Sequence, residues 1–220
     1  MVTVISMPDI AGWTSVEFDP IRPRETDRME GRRTEAQVFG TWWWAATWSA
    51  PFLSDIDMGK MDAFMMMAGD SGEVFRAYDP FRPRPIDWLK ENGQAPLSGT
   101  RAGGGAFDGT AAITARTATT ITMSGLPANF QFRAGDYVEV VKSETLVSLH
   151  RIMSDAQASS GGVVAVAIRH ALDLQNFSLP LTANFEKPSC LMQIDPGSYR
   201  GPKAWSARNP SFSAQEVFFS

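Results

Sequence analysis

The chain has 220 residues, of which 44% are hydrophobic and 20% are charged, and its formal net charge is -4. This composition is typical of a folded chain of one or two domains and excludes wholesale disorder. The acidic balance gives no general attraction for phosphate backbones, so we expect no nucleic-acid binding. The one cysteine, Cys190, cannot form an internal disulfide or a cysteine-rich zinc site.

Neither a targeting signal nor a membrane segment is indicated. The first residues lack the basic start of a signal peptide, and Asp9 follows closely. The longest apolar run, residues 163–168, has the length of a strand and not the roughly 18 residues that a membrane helix needs. We therefore expect no membrane insertion and a protein that is made and kept in a cytoplasm.

Alternating hydrophobic residues, punctuated by Gly, Pro, Asn and Asp, predict a mainly β chain. The longest candidate strand covers residues 35–48. One of its faces carries Val38, Trp42, Trp44, Ala46 and Trp48. Further candidate strands cover residues 74–78, 111–123, 137–141, 146–153, 163–169 and 212–218.

One segment has helical spacing and predicts a single helix over residues 55–68. Ser54 can accept a hydrogen bond from the amide of Asp57, as a helix cap does. Apolar residues then recur at three- and four-residue steps, at Met58, Met61, Met65 and Ala68. Gly69 follows as the expected stop.

Composition shifts predict two lobes. The first is β-sandwich-like with one packed helix and covers residues 1–100, and residues 187–220 are expected to complete it. Residues 90–110 are rich in Gly, Ala, Ser and Pro, which is typical of a linker or a long loop. The second lobe, residues 106–186, is expected to be a smaller β-barrel or β-sandwich.

No group of residues has the spacing of a catalytic, cofactor or metal site, so we expect no enzyme, no cofactor and no bound metal. His150 and His170 lie in strand-like segments, where half-exposed structural positions are a better interpretation than a metal pair. Cys190 is expected to be a small buried hydrophobe. Two carboxylates that meet only in the fold, as in a glycosidase, remain an enzymatic alternative.

Four tryptophans lie within seven residues, at Trp42, Trp43, Trp44 and Trp48. Such rings can form a stacking platform for sugars, or they can fill a core. Three of them share one face of the predicted strand, which favours the core. Trp43 lies on the other face and is a candidate for a subunit contact.

Several motifs occur in an order that resembles minor tail proteins of long-tailed bacteriophages and related prophages, of the distal tail type. A strand with Trp44 ends at Pro51, the helix follows, and a glycine-flanked turn leads to the run Tyr78-Asp79-Pro80-Phe81-Arg82. A second set comprises the runs 133–139, 149–152 and 162–168. Together the matches cover about two-thirds of the chain in order, although the helix is richer in Met than is usual in that family.

The resemblance implies a structural virion component, in the virion tail and assembled in the bacterial host cytoplasm. Distal tail proteins form a ring, commonly of six copies, that joins the tail tube to the hub and host-recognition proteins. The implied partners are further copies of the chain, the tail tube protein, the tape-measure protein, the baseplate hub and other tail tip proteins. We expect subunit contacts at Trp43, Tyr78, Asp79, Arg82 and Arg84. The alternative function is a carbohydrate-binding, lectin-like tail module that uses the tryptophan strand.

Overall fold

The computed structural model describes residues 3–10, 12–68, 73–204 and 208–219. These residues form a mainly β structure, as predicted, with two helices. Their contacts divide the chain into two compact units. The barrel unit consists mainly of Phe75–Leu191, and the sheet unit consists of Met7–Val74 and Met192–Val217. Residues 75–100, which the sequence places in the first lobe, therefore make their contacts in the barrel unit.

Six antiparallel strands of the barrel unit close on themselves. In spatial order they are β10 (Tyr137–Val141), β11 (Val147–Ile152), β13 (Val164–Arg169), β8 (Thr120–Ser124), β7 (Thr110–Arg116) and β14 (Leu181–Asn184). The pairing of Val140 with Ala183 joins β14 back to β10 and closes the barrel. The predicted strand 111–123 is thus a hairpin of two strands. A small second sheet pairs β9 (Gln131–Phe132) with β12 (Ala156–Gln157).

The segment 90–110 is packed on the barrel and is not a linker. A short second helix, α2 (Ile86–Asn92), begins this region and was not predicted. Leu97 and Phe107 are buried in the barrel core. Arg101 fixes the loop between them, since its guanidinium donates to the carbonyl oxygens of Thr110 and Gly125 at 2.9 and 2.8 Å. Composition alone predicted a linker or a long loop; the long loop is what the structure has, but its packing on the barrel gave no signal because two isolated apolar residues have no periodicity.

Four strands of the sheet unit lie in the order β15 (Cys190–Ile194), β16 (Ser211–Glu216), β5 (Trp43–Ser49) and β2 (Ser15–Ile21). The first two residues of β15 belong to the barrel unit. There β15 lies next to β6 (Val74–Ala77), and β6 lies next to β1 (Val4–Ser6). In the sheet unit, Phe212 of β16 lies opposite Trp48 of β5. This register brings the largest rings of the unit into one core.

The predicted strand 35–48 is wrong in its length, because the chain breaks it into two strands. β4 (Thr34–Val38) ends before Gly40, and β5 begins at Trp43. Gly40 has a φ of 83°, which an extended strand cannot accommodate. β4 pairs with β3 (Arg24–Arg28), so the two form a separate antiparallel ribbon.

The predicted helix is confirmed as α1 (Asp55–Ala68). The amide of Asp57 donates to Oγ of Ser54 at 3.1 Å, which is the expected cap. The buried stripe consists of Met58, Met61, Phe64 and Ala68. The predicted stop at Gly69 lies outside the described residues.

Candidate assembly surfaces

The two histidines are buried together in the barrel unit, which corrects the expectation of half-exposed positions. Their ring centroids lie 4.8 Å apart, and Nδ1 of His150 lies 3.0 Å from the carbonyl oxygen of His170. Burial lowers the pKa of His150 to about 3 and that of His170 to about 4. Within the described ranges no group of three or more His, Cys, Asp or Glu side chains could hold a metal ion.

The buried carboxylates accept hydrogen bonds from their own unit. Glu139 binds Arg76 at 2.5 Å and the amide nitrogen of the Asn184 side chain at 2.7 Å. Asp136 accepts the amide of Ile86 at 2.8 Å, and burial raises its pKa to about 6. Each of these groups joins a loop or strand to the barrel, which is a structural role.

Trp44 and Trp48 fill the core of the sheet unit, as their shared face predicts. Trp48 stacks on Phe212 with ring centroids 5.0 Å apart. The backbone amide of Trp44 donates to the carboxylate of Glu216 at 2.9 Å. Burial raises the pKa of Glu216 to about 8. Neither buried ring is available to stack on a sugar, and the half-buried ring of Trp42 has the guanidinium of Arg22 over its face at 5.2 Å.

Four of the five residues expected at subunit contacts lie in the barrel unit. Three of these four, Asp79, Arg82 and Arg84, form ion pairs or hydrogen bonds within that unit. Asp79 and Arg84 are buried. Arg84 forms a two-bond ion pair with Glu186. Arg82 binds Asp79 at 3.1 Å and donates to the hydroxyl of Tyr137 at 2.6 Å.

The remaining two expected contact residues are partly accessible. Tyr78 is half-buried, with the ammonium of Lys187 over its ring at 5.5 Å. Trp43 belongs to the sheet unit and is also half-buried. The subunit contacts expected at the five residues remain predictions.

The β3–β4 ribbon, which we call the arm, was predicted only in part, because the predicted strand 35–48 includes most of β4 and no strand was predicted at β3. Every residue from 24 to 41 is exposed. Directly opposite pairs share a face of a ribbon, and successive pairs alternate. The basic face of the arm therefore carries Arg24, Thr26, Arg28, Thr34, Ala36 and Val38. The other face carries Glu25, Gln37, Asp27 and Glu35, with the last two carboxylates directly opposite each other.

The side of helix α1 that faces away from its buried stripe exposes several apolar side chains next to the charged side chain of Lys60. Ile56 is 74% exposed and Met66 is 79% exposed, with Met67, Ala63 and Gly59 exposed beside them. We call this surface the outer face of α1.

Large exposed hydrophobic side chains in the sheet unit fall into two groups. One group lies on the arm and at its base and consists of Ile21, Met29, Val38 and Phe39. The other lies on α1 and the residues just before it and consists of Phe52, Ile56, Met66 and Met67. Apolar surface concentrated in this way marks interaction sites.

Comparison with known proteins gives no family assignment. No family model matches the chain, and no curated protein is significantly similar to it. In the described part of the chain, neither helix is long and apolar enough to cross a membrane.

Proposed function

We propose that the chain is a structural, non-enzymatic virion component of a phage tail tip: a distal tail ring protein that joins the tail tube to the hub and host-recognition proteins. The observation that carries this proposal is the arm, whose residues are exposed on both faces. A ring protein needs surfaces that remain uncovered in the single chain and are covered in the assembly. The arm is such a surface.

The physical argument concerns the stability of a two-stranded ribbon. An isolated hairpin is marginally stable at best in water, because it buries too little apolar surface. Its outer edges also present unpaired backbone groups to any neighbour. A neighbouring copy supplies both the missing apolar contact and the missing partners. A contact between two different surfaces of identical copies closes into a ring when the rotation between copies allows it.

The ordered motifs of the sequence support the choice of a tail tip. They include Trp44 to Pro51, the helix, and the Tyr78 to Arg82 run, which resemble the distal tail type. Within this proposal the partners are further copies of the chain, commonly six, together with the tail tube protein, the tape-measure protein and the hub. The protein then acts in the virion tail after assembly in the host cytoplasm.

The test is the mass of the purified protein by light scattering, with negative-stain electron microscopy of the same sample. We expect rings or particles of ring size. A matched variant replaces residues 24–38 by Asn-Gly, since the amide of Phe39 already donates to the carbonyl of Pro23 at 2.9 Å and the two ends meet. We expect this variant to fold and to remain a monomer.

Two results would contradict the proposal. One is a protein that stays monomeric alone and with tail tube and hub proteins added. The other is a protein that binds glycans with quenching of its tryptophan fluorescence, which would favour the lectin-like alternative. The variant Val163→Ser, which changes an exposed residue of the barrel unit, is the control and should assemble normally.

A further inference from the structure

We propose that the contact between β11 and β13 is an acid-sensitive seam, which opens when His150 and His170 bind protons while the other strands of the barrel stay paired. The seam is formed by residues 150–153 on one side and residues 167–170 on the other. All of these residues lie in the barrel unit. The inference is therefore independent of the proposed ring.

The seam is the shortest of the six contacts between neighbouring barrel strands. Its register covers two residues of each strand, 151–152 and 168–169. One further bond extends it, from the amide of Met153 to the carbonyl oxygen of Ala167 at 2.9 Å. The other five contacts cover three to five residues of each strand. Because fewer paired residues hold the seam, local opening of the barrel is easiest there.

Both histidines face the interior of the barrel at one end of the seam. The register, continued by one residue, places His150 opposite His170, and the hydrogen bond between Nδ1 of His150 and the carbonyl oxygen of His170 agrees with it. Opposite residues share a face of a sheet, and successive pairs alternate. The histidines therefore lie on the same face as Ile152 and Ile168, which belong to the barrel core.

The barrel interior leaves the histidine pair in apolar surroundings. Nε2 of His150 and Nδ1 of His170 are buried and have no hydrogen-bond partner among the described residues. Ser148 is the polar neighbour on the inward face of β11. Both rings are neutral while the barrel is closed, because a buried charge without a partner is strongly disfavoured. The neighbouring strands turn apolar side chains inward, including Val138 and Val140 of β10, Ile121 and Met123 of β8, and Val166 of β13.

Arginines border the histidine pair and disfavour further positive charge. Arg151 and Arg169 lie directly opposite each other in the seam, on the outer side of the barrel. Arg116 of β7 lies opposite the inward-facing Ile121, whose other neighbour is Val166 of β13. Like charges that lie opposite each other destabilise a strand pair. Protons on both histidines would therefore add two positive charges to a contact that already has two.

The carboxylates of the neighbouring segments are bound elsewhere. Glu139 of β10 points away from the interior and pairs with Arg76. Asp136, just before β10, accepts two backbone amides. Asp173, in the loop after β13, accepts the amide of Gln175 at 2.8 Å. Among the described residues, none of these three carboxylates forms a hydrogen bond with either histidine, so none offsets a proton there.

The neutral state of the pair sets the direction of the response to acid. Burial lowers the pKa of His150 to about 3 and that of His170 to about 4, and opening of the seam returns both towards the ordinary 6.5. Opening therefore takes up protons, and its equilibrium constant rises as the pH falls below 6.5. From pH 7 to pH 4.5 we expect a rise of roughly 50- to 100-fold for each histidine.

Hydrogen–deuterium exchange of the full chain at pH 7 and pH 4.5, read by mass spectrometry, tests the seam. The rates are corrected for the intrinsic effect of pH on exchange. We expect the amides of the seam to lose protection at pH 4.5 by the factor given above. The paired strands β7 and β14, which do not contribute to the seam, should stay protected. Circular dichroism at both pH values shows whether the chain as a whole remains folded.

Variants without the titrating groups separate the histidines from other causes. His150→Gln and His170→Gln each should lower the response of the seam to that of the remaining histidine, and the double variant should abolish it. If His150→Gln does not fold, His150→Leu replaces it, since an apolar side chain suits the interior. The matched control is Glu216→Gln, which removes a buried titrating group from the sheet unit and should leave the response unchanged.

A loss of protection that is confined to the seam and abolished in the double variant supports the inference. Three results would overturn it. The first is equal protection of the seam at both pH values. The second is a loss of protection in all barrel strands together, which means global unfolding. The third is a response that persists in the double variant, because another group then causes it.

Discussion

The barrel unit and the sheet unit differ in whether the edges of their strands are paired. The barrel pairs each of its six strands on both sides by closing on itself. The sheet unit leaves the arm exposed on both faces and the outer face of α1 uncovered. Closure removes the edges through which strands associate, whereas an exposed ribbon offers them. The six-stranded barrel thus has no open strand edge, whereas both strands of the arm have one.

Both units bury ionisable groups. The barrel unit buries His150, His170 and carboxyl groups such as that of Asp136, and the sheet unit buries Glu216. Burial disfavours the charged form of each group, so the neutral histidine and the protonated glutamate are the favoured folded states. The buried histidines and the buried carboxyl groups of Asp136 and Glu216 should therefore contribute to the pH dependence of stability in opposite directions.

The largest loss of stability is expected from the core of the sheet unit. Trp48→Ala removes a fully buried ring that stacks on Phe212. The free energy of unfolding should fall by about 3–5 kcal/mol, since the substitution leaves a cavity. Urea unfolding followed by circular dichroism measures this loss. A loss below about 1 kcal/mol would mean that the ring is not a core residue.

A large loss is also expected at the partly buried ion pair of the barrel unit. Arg84→Ala leaves Glu186 without its ion-pair partner, and the free energy of unfolding should fall by about 2–4 kcal/mol. The control is Arg33→Ala on the arm, where the pair with Glu35 is 3.7 Å long and both side chains are mostly exposed. That change should cost less than about 1 kcal/mol. Similar losses for the two variants would contradict the assignment of one pair to the interior.

At Glu216 the raised pKa predicts stability that is lost as pH rises. The pKa lies at about 8 in the folded chain against an ordinary value of 4.5, so the unfolded chain gives up this proton first. Stability from this group is present below pH 4.5 and declines as the pH rises through 8. Glu216→Gln keeps an oxygen acceptor for the amide of Trp44 and should flatten the decline. Measuring the thermal midpoint of the wild type and of Glu216→Gln from pH 5 to pH 9 tests this expectation.

At His150 the lowered pKa predicts the opposite dependence. The unfolded chain binds a proton near pH 6.5, whereas the folded value is about 3. The contribution of this group is therefore present above pH 6.5 and is lost progressively as the pH falls towards 3. His150→Leu should reduce the drop in the thermal midpoint between pH 7 and pH 5. An unchanged drop would show that other groups cause the acid sensitivity.

The smallest change in stability is expected on the outer face of α1. Met66→Gln replaces an exposed side chain and should change the free energy of unfolding by less than about 0.5 kcal/mol. Assembly into the proposed ring should nevertheless weaken, because exposed apolar surface of this kind is what a subunit contact covers. Sedimentation of the variant beside the wild type measures the change in assembly. Unchanged assembly would show that Met66 is not at a subunit contact.

Features that depend on neighbouring residues could be predicted from the sequence. The bounds of α1 follow from the cap at Ser54 and from the apolar steps that begin at Met58, which are local signals. The burial of Trp44 and Trp48 follows from their position on one face of a strand. Each of these features is set within a few residues of the chain.

Features that depend on distant residues could not be predicted. Strand β3 has no apolar residue because neither face of the arm meets a core, so it lacks the usual signal. The burial of His150 against His170 depends on two strand ends that only the barrel brings together. Leu97 and Phe107 lie in a stretch whose composition is typical of a loop, and only the barrel core explains their burial.

The contacts of Arg101 keep the loop between Leu97 and Phe107 in place. Besides two carbonyl oxygens, its guanidinium binds the carbonyl of Ala106 at 3.1 Å and the carboxylate of Asp108 at 2.8 Å. The side chain of Arg101 thus links the loop to β7 and to the residue that follows β8, much as a disulfide would in an oxidising compartment. An arginine stays protonated in proteins, so this tether neither needs an oxidant to form nor breaks when a thiol reductant is added. The hold on this loop is therefore independent of the redox state of the surroundings.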